Sequence, residues 1–260
     1  MNRRVTYLSA CLILLYSCKN RNEKDNSGAN SDKDIIFIST SLAFKSNTLI
    51  SLIRDGKLDK DSSLPKFKDL LNEIKEQYNE QAITRYNSDK WVFPLKDYTT
   101  DISIGNSKDE GYIPGRYNFF DGNDHKGHAA LDIFIADSNQ DCADDRTKKQ
   151  VDVLSMTGGV VLAAEMNWDT ASALRGGKYI WIYDPLNKLL LYYAHNNTVI
   201  IKPGQIVKPG EKIATCGRTG LNAFKKRSPT HLHLMILKLD ENNYPRPINP
   251  YGYLKTAKPI

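Results

Sequence analysis

The sequence predicts a mainly β protein, an antiparallel sheet or sandwich, preceded by an α-helical accessory segment. Three observations carry this expectation. From residue 91 onward, short runs rich in β-branched and aromatic residues alternate with Gly, Pro and Asn turn signals. Between residues 34 and 90, apolar residues instead recur at three- and four-residue spacing. With 260 residues, 40% of them hydrophobic and 25% charged, the chain can build a sizeable core without disulfides.

Residues 1–18 read as a signal peptide. Arg3 and Arg4 precede an apolar stretch, 5–16, that is too short to span a bilayer. It ends in Leu15-Tyr16-Ser17-Cys18, which resembles the lipobox of bacterial lipoproteins and makes Cys18 the lipidation candidate. A plain secretory peptide or an uncleaved anchor is the alternative. With Cys18 lipidated, Cys142 and Cys216 are a candidate disulfide pair in an oxidising compartment. Residues 19–33 are polar, without aromatic residues, and read as a disordered tether between membrane and folded protein. The net charge of +6 is spread out, with no Lys/Arg block of the kind that binds nucleic acid.

In the accessory segment, Pro65 suits a first helical turn after Ser62-Ser63. Phe67, Leu70, Leu71, Ile74 and Tyr78 then form a packing stripe. A shorter helix is expected over 48–58, ending near Gly56. No chemistry is apparent in this region.

Residues 91–254 read as the functional domain, with 255–260 as a tail. The runs 178–184 (KYIWIYD) and 188–195 (KLLLYYAH) flank Pro185-Leu186-Asn187 as a hairpin. Gly158-Gly159 precedes a strand over 160–164. Pro203-Gly204 and Pro209-Gly210 mark two further turns, and 230–239 (THLHLMILKL) is another strand. The acidic stretch 137–145 is read as a solvated loop, since its acids do not match calcium-loop spacing.

Four of the five histidines fall in three patterns: His128-Ala129-Ala130-Leu131-Asp132, Tyr193-Ala194-His195 and His231-Leu232-His233. Residues two apart on a strand share a face. Two adjacent strands can therefore present His128, Asp132 and His233 to one metal. Two imidazoles and a carboxylate suit one Zn2+, with a fourth position left for water. His195 and His231 remain to handle protons or to hydrogen-bond an intermediate. His125 fits none of the patterns and is read as a loop histidine. Each pattern alone is weak; their combination, in order and on strands, is specific.

The combination, with Pro203-Gly204-Gln205 opening the stretch up to Ile213, then Gly217-Arg218-Thr219-Gly220 just before His231, resembles the lysostaphin/LytM-type zinc metallopeptidases. The resemblance covers about residues 91–254. It implies a duplicated-hybrid-motif β fold, cleavage of peptidoglycan cross-bridges or stem peptides, zinc on His128, Asp132 and His233, and His195 with His231 as the catalytic pair. Three features depart from the family pattern: the polar loop 138–150, the approach 224–229 (FKKRSP), and Asn196 after the catalytic-type His195. None removes a ligand. Lys225, Lys226 and Arg227 either contact an anionic stem peptide or are solvated. The expectation is a lipid-anchored peptidoglycan endopeptidase of the cell envelope. Its rivals are a catalytically silent module that activates another cell-wall hydrolase and a carrier domain suggested by the hairpin around Lys208 and Lys212. The carrier reading leaves the histidines unexplained.

Overall fold

The computed structural model describes residues 35–82, 91–103 and 111–260. The signal peptide, Cys18 and the tether lie outside the described residues. Among the described residues, eleven strands and four helices run in chain order: β1 (Ile36–Phe37), α1 (Thr40–Arg54), α2 (Lys60–Ala82), α3 (Thr100–Ser103), β2 (Leu131–Phe134), β3 (Asp152–Leu154), β4 (Gly159–Glu165), β5 (Tyr179–Asp184), β6 (Leu189–Ala194), β7 (Thr198–Val199), β8 (Gln205–Val207), β9 (Lys212–Thr215), β10 (His231–Leu239), β11 (Pro245–Ile248) and α4 (Tyr251–Thr256). A 3-10 turn, Phe119–Asp124, precedes β2. The fold is thus mainly antiparallel β with N-terminal helices.

The large sheet is ordered β1-β8-β4-β5-β6-β10-β11, with β2 also paired to β10; β3, β9 and β7 form a second, three-stranded sheet. The period-two alternation of the central strands sorts their side chains into two cores. Tyr179, Trp181 and Tyr183 of β5, with Met235 and Leu237 of β10, join the helices in one cluster. Ile180 and Ile182 of β5, with Leu232, Leu234 and Ile236 of β10, join Val153 and Ile213 of the small sheet in the other. Both faces of β5 are therefore covered, which is why 178–184 reads as nearly continuous apolar residues.

The helices form by the expected periodicity but at shifted boundaries. Phe67, Leu70, Leu71 and Ile74 are fully buried, and Tyr78 nearly so. The α2 helix starts at Lys60, not after Ser63, because the Asp59 carboxylate accepts the Ser62 amide at 2.7 Å and caps the free N–H groups. Pro65 consequently sits inside the helix. The α1 helix begins at Thr40 and its Ser46 hydroxyl donates to Leu162 O of β4 at 2.8 Å, fastening it to the sheet. Residues 35–260 form one compact unit, so helices and sheet share a core. Residues 255–260 are docked, with Lys258 N bonded to Trp91 O at 2.8 Å and Asp97 N to Ile260 O at 3.0 Å.

Candidate metal and catalytic site

The site grows from the register of β10. His233 lies directly opposite Asp132 on β2 and beside Ala194 on β6. Directly opposed residues point their Cβ atoms to one face about 5 Å apart, so imidazole and carboxylate meet without strain. His128 is not on the strand that carries Asp132, as the sequence suggested. It precedes β2 and is held by a two-bond bridge to Ile113, with His128 N to Ile113 O at 2.6 Å and the reverse bond at 2.8 Å. By alternation, His231, His233 and Asp132 share the sheet face that carries the helices, beyond the area the helices cover.

Nε2 of His128 lies 3.2 Å from Nδ1 of His233. Asp132 Oδ1 lies 3.0 Å from that Nδ1 and 3.3 Å from that Nε2. Four ligands on zinc with bonds of about 2.0–2.1 Å have mutual separations of roughly 3.3 Å, so this triangle fits a zinc ion with a fourth side open. Among the described residues it is the one His/Cys/Asp/Glu group with the geometry of a metal site. Solvent reaches it: the side chains of His128 and Asp132 are 35% and 28% exposed.

Three histidines are oriented by backbone carbonyls. Nδ1–H of His128 donates to Gly111 O at 2.5 Å, that of His195 to Thr219 O at 2.7 Å, and that of His231 to Pro229 O at 2.7 Å. Each bond leaves Nε2 with a free lone pair. The rings of His195 and His231 are 4.9 Å apart, and His195 is 5.3 Å from His233. His231 Nε2 lies 3.7 Å from Asp132 Oδ2. His195 has a left-handed backbone, φ +64°, uncommon for a residue with a side chain. The Thr219-Gly220 pair permits this: a Cβ on Gly220, φ +117°, would stand 2.9 Å from His195 Nδ1 and 2.3 Å from Arg175 O.

The charges follow from packing. Burial alone would raise the Asp132 carboxyl, but hydrogen bonds from His128 and His233 outweigh it and hold the group well below the usual carboxylate range. Burial opposes charge on His128, yet Asp132 wins and shifts it upward. Burial, then the neighbouring imidazoles, keeps His195 well below the ordinary histidine range, so it is a neutral base at pH 7. Burial lowers His233 too.

A cavity of about 220 Å3 adjoins the triangle, lined in part by Tyr117, His125, Arg175 and Tyr192, none of which the sequence patterns singled out. Only Tyr192 left a signal: it shares the face of Ala194 on β6, and its ring centroid is 6.1 Å from that of His233. His125 is no detached loop histidine; its Nδ1–H donates to Gly122 O at 2.7 Å and its ring packs on Tyr117.

The departures from the family pattern are accounted for. The Asn196 side chain is buried and donates to Lys178 O and Tyr193 O, a structural role. The loops 138–150 and 224–229 meet: Gln140 Nε2 donates to Lys226 O at 2.9 Å. Asp137 accepts from Cys142 N at 2.9 Å and from the Thr230 hydroxyl at 2.6 Å, bracing the residue before His231. The acids of this loop are thus engaged with its own backbone. Cys142 and Cys216 do not form the candidate disulfide: both thiols are free. Cys216 packs as a small apolar group in the core, where burial pushes its thiol up.

These features make a candidate metal site on an antiparallel sheet. Residues 139–250, which include His195, His231 and His233, match Peptidase family M23, in line with the lysostaphin/LytM-type resemblance. The chain is 35% identical over 108 residues to the murein hydrolase activator NlpD of Salmonella dublin, and 34% over 108 residues to that of Escherichia coli strain K12. Each match covers 42% of this chain and 24% of the relative, so the chain spans about a quarter of the length of the curated relatives it matches. The catalytic domain of the antimicrobial peptidase lysostaphin from Staphylococcus simulans is 22% identical, with 56% of this chain and 88% of that one covered and a TM-score of 0.36. No helix among the described residues is long and apolar enough to cross a membrane.

Proposed function

We propose that this protein is a zinc-dependent endopeptidase that hydrolyses amide bonds in peptidoglycan cross-bridges or stem peptides. The observation that carries the reading is the donor triangle of His128, Asp132 and His233, with sides of 3.0–3.3 Å, beside two further carbonyl-oriented imidazoles. Zinc held there would lower the pKa of water to roughly 7 and polarise a scissile carbonyl. His195 Nε2, kept neutral by burial, takes the proton of the attacking water. His231 Nε2, with its lone pair free, accepts a hydrogen bond from the attacking water and orients it, and the proton taken by His195 is then returned to the leaving amine. The Nδ1–H bond to Thr219 O keeps His195 in the tautomer whose Nε2 lone pair a base requires. We further propose export through the 1–18 signal segment, a lipid anchor at Cys18, and action on the cell wall from the membrane surface.

A second reading, a module that activates another cell-wall hydrolase, is favoured by the relatives named murein hydrolase activator. It leaves the intact triangle and the paired imidazoles without a purpose. The test measures zinc content and soluble peptide release from purified peptidoglycan, for wild type, His233→Ala and His195→Ala. The endopeptidase reading requires zinc-dependent release that both substitutions abolish. No zinc and no release, with stimulation of an added cell-wall hydrolase, supports the activator.

A further inference from the structure

The helical segment does more than pad the sheet. It packs chiefly against β4, on the face that carries the metal triangle. A smaller cavity of about 60 Å3 opens between α1 and the sheet, walled by Ile50 and Ile53 of α1, Phe119 of the 3-10 turn, and Trp181 and Met235 of the sheet. These five side chains are nearly fully buried. Gly122 makes the wall possible, since a Cβ there would stand 2.2 Å from Ile53 O. The two cavities run together, sharing Tyr117, His125, Arg175, Gly176 and Tyr192.

Arg175 stands at the junction. Its guanidinium donates to His125 O at 2.6 Å, and its charge is felt at His128 and Tyr192. Among the described residues no carboxylate lies within ion-pair distance of it, whereas Arg54, the other arginine at this cavity, is already paired with Asp55 and Glu165. A half-buried guanidinium without an anion, facing a groove, is a carboxylate receptor with four of its five N–H donors unspent. The cavity next to it is apolar and small. Cavities of about 150 Å3 accept a benzene ring, so one of this size takes a methyl to isopropyl group and rejects an aromatic side chain.

We propose that α1 and the 3-10 turn build a selectivity pocket for the substrate: the cavity takes the short alkyl side chain of a peptide residue whose carboxylate Arg175 binds. The inference rests on the endopeptidase reading for its place in the reaction, but the binding itself does not require cleavage. The preferred ligand is a peptide ending in a small aliphatic residue with a free carboxyl group. The helical segment thereby becomes part of the substrate site.

Trp181 in the wall supplies the readout. The zinc-loaded full chain is titrated, by tryptophan fluorescence, with N-acetylglycyl peptides ending in glycine, alanine or phenylalanine, and with the amide of the alanine peptide. The alanine peptide is expected to bind at least tenfold more tightly than the other three. Ile50→Phe, which fills the cavity, is expected to erase the preference for alanine over glycine, and Arg175→Gln the preference for carboxylate over amide. Equal affinities for the four peptides, or no binding of any, overturn the proposal without recourse to a variant. Peptidoglycan digestion is measured in parallel. Selective binding without digestion sinks the endopeptidase reading and leaves the pocket standing; digestion without selective binding does the reverse.

Discussion

Nε2 of His128 and Nδ1 of His233 face each other at 3.2 Å, although each imidazole lies beside the same Asp132 carboxylate. Two imidazole nitrogens so close share one proton or one cation. Because Asp132 raises the His128 pKa above its ordinary value of about 6.5, protons compete for this site near neutrality. Zinc affinity is therefore expected to rise with pH from 6 to 8. Competition titrations with a chromophoric chelator check this, and a flat profile contradicts it.

Gly220 holds His195 in place by having no side chain. A Cβ there meets Arg175 O at 2.3 Å and His195 Nδ1 at 2.9 Å, at a φ of +117°. Gly220→Ala is expected to cost about 2 kcal/mol or more of stability and to reduce kcat far more than KM. Denaturant unfolding and steady-state kinetics separate the two effects. Unchanged kcat would remove Gly220 from the positioning of His195.

The buried Asp144 carboxylate binds Arg146 at 2.6 Å and accepts the Tyr98 hydroxyl. Its pKa is lowered, first by Arg146. The stability this contributes is fully present above the unfolded carboxylate value, about 3.9, and is lost progressively as pH falls from there through the depressed folded value. Since 47% of the Arg146 side chain is exposed, the effect is discounted to about 1–2 kcal/mol. Thermal melts of wild type and Asp144→Asn should differ at pH 7, and the difference should begin to shrink only as pH falls below about 4.

Leu70 is fully buried on the stripe that α2 presents to the sheet. Leu70→Ala is expected to cost about 2–5 kcal/mol, and urea unfolding by circular dichroism at 222 nm measures it. A cost below 1 kcal/mol would mean that α2 does not share the core.

Much of this was legible in the residues. The apolar run 189–194 placed His195 at the end of a strand, and the run 231–239 placed His231 and His233 on one, because both runs are buried on two faces. The α2 stripe was equally plain. What escaped was set by long-range packing. The position of His128 depends on a bridge to Ile113, which no local pattern records. The start of α2 depends on a cap by Asp59 that competed with Pro65 as a signal. Arg175 and Tyr117 reach the groove only through loops, whose course short-range chemistry does not fix. The cysteine count suggested a bridge, but core packing uses Cys216 as an apolar group.

The central claim is that His128, Asp132 and His233 hold a catalytic zinc. The most direct measurement is bound metal by mass spectrometry of the intact full chain after dialysis against micromolar zinc, for wild type and Asp132→Ala, alongside peptide release from peptidoglycan. One zinc per wild-type chain, lost together with peptide release in the variant, is the predicted result. Peptide release by Asp132→Ala at the wild-type rate, or wild type that carries no zinc, would contradict it.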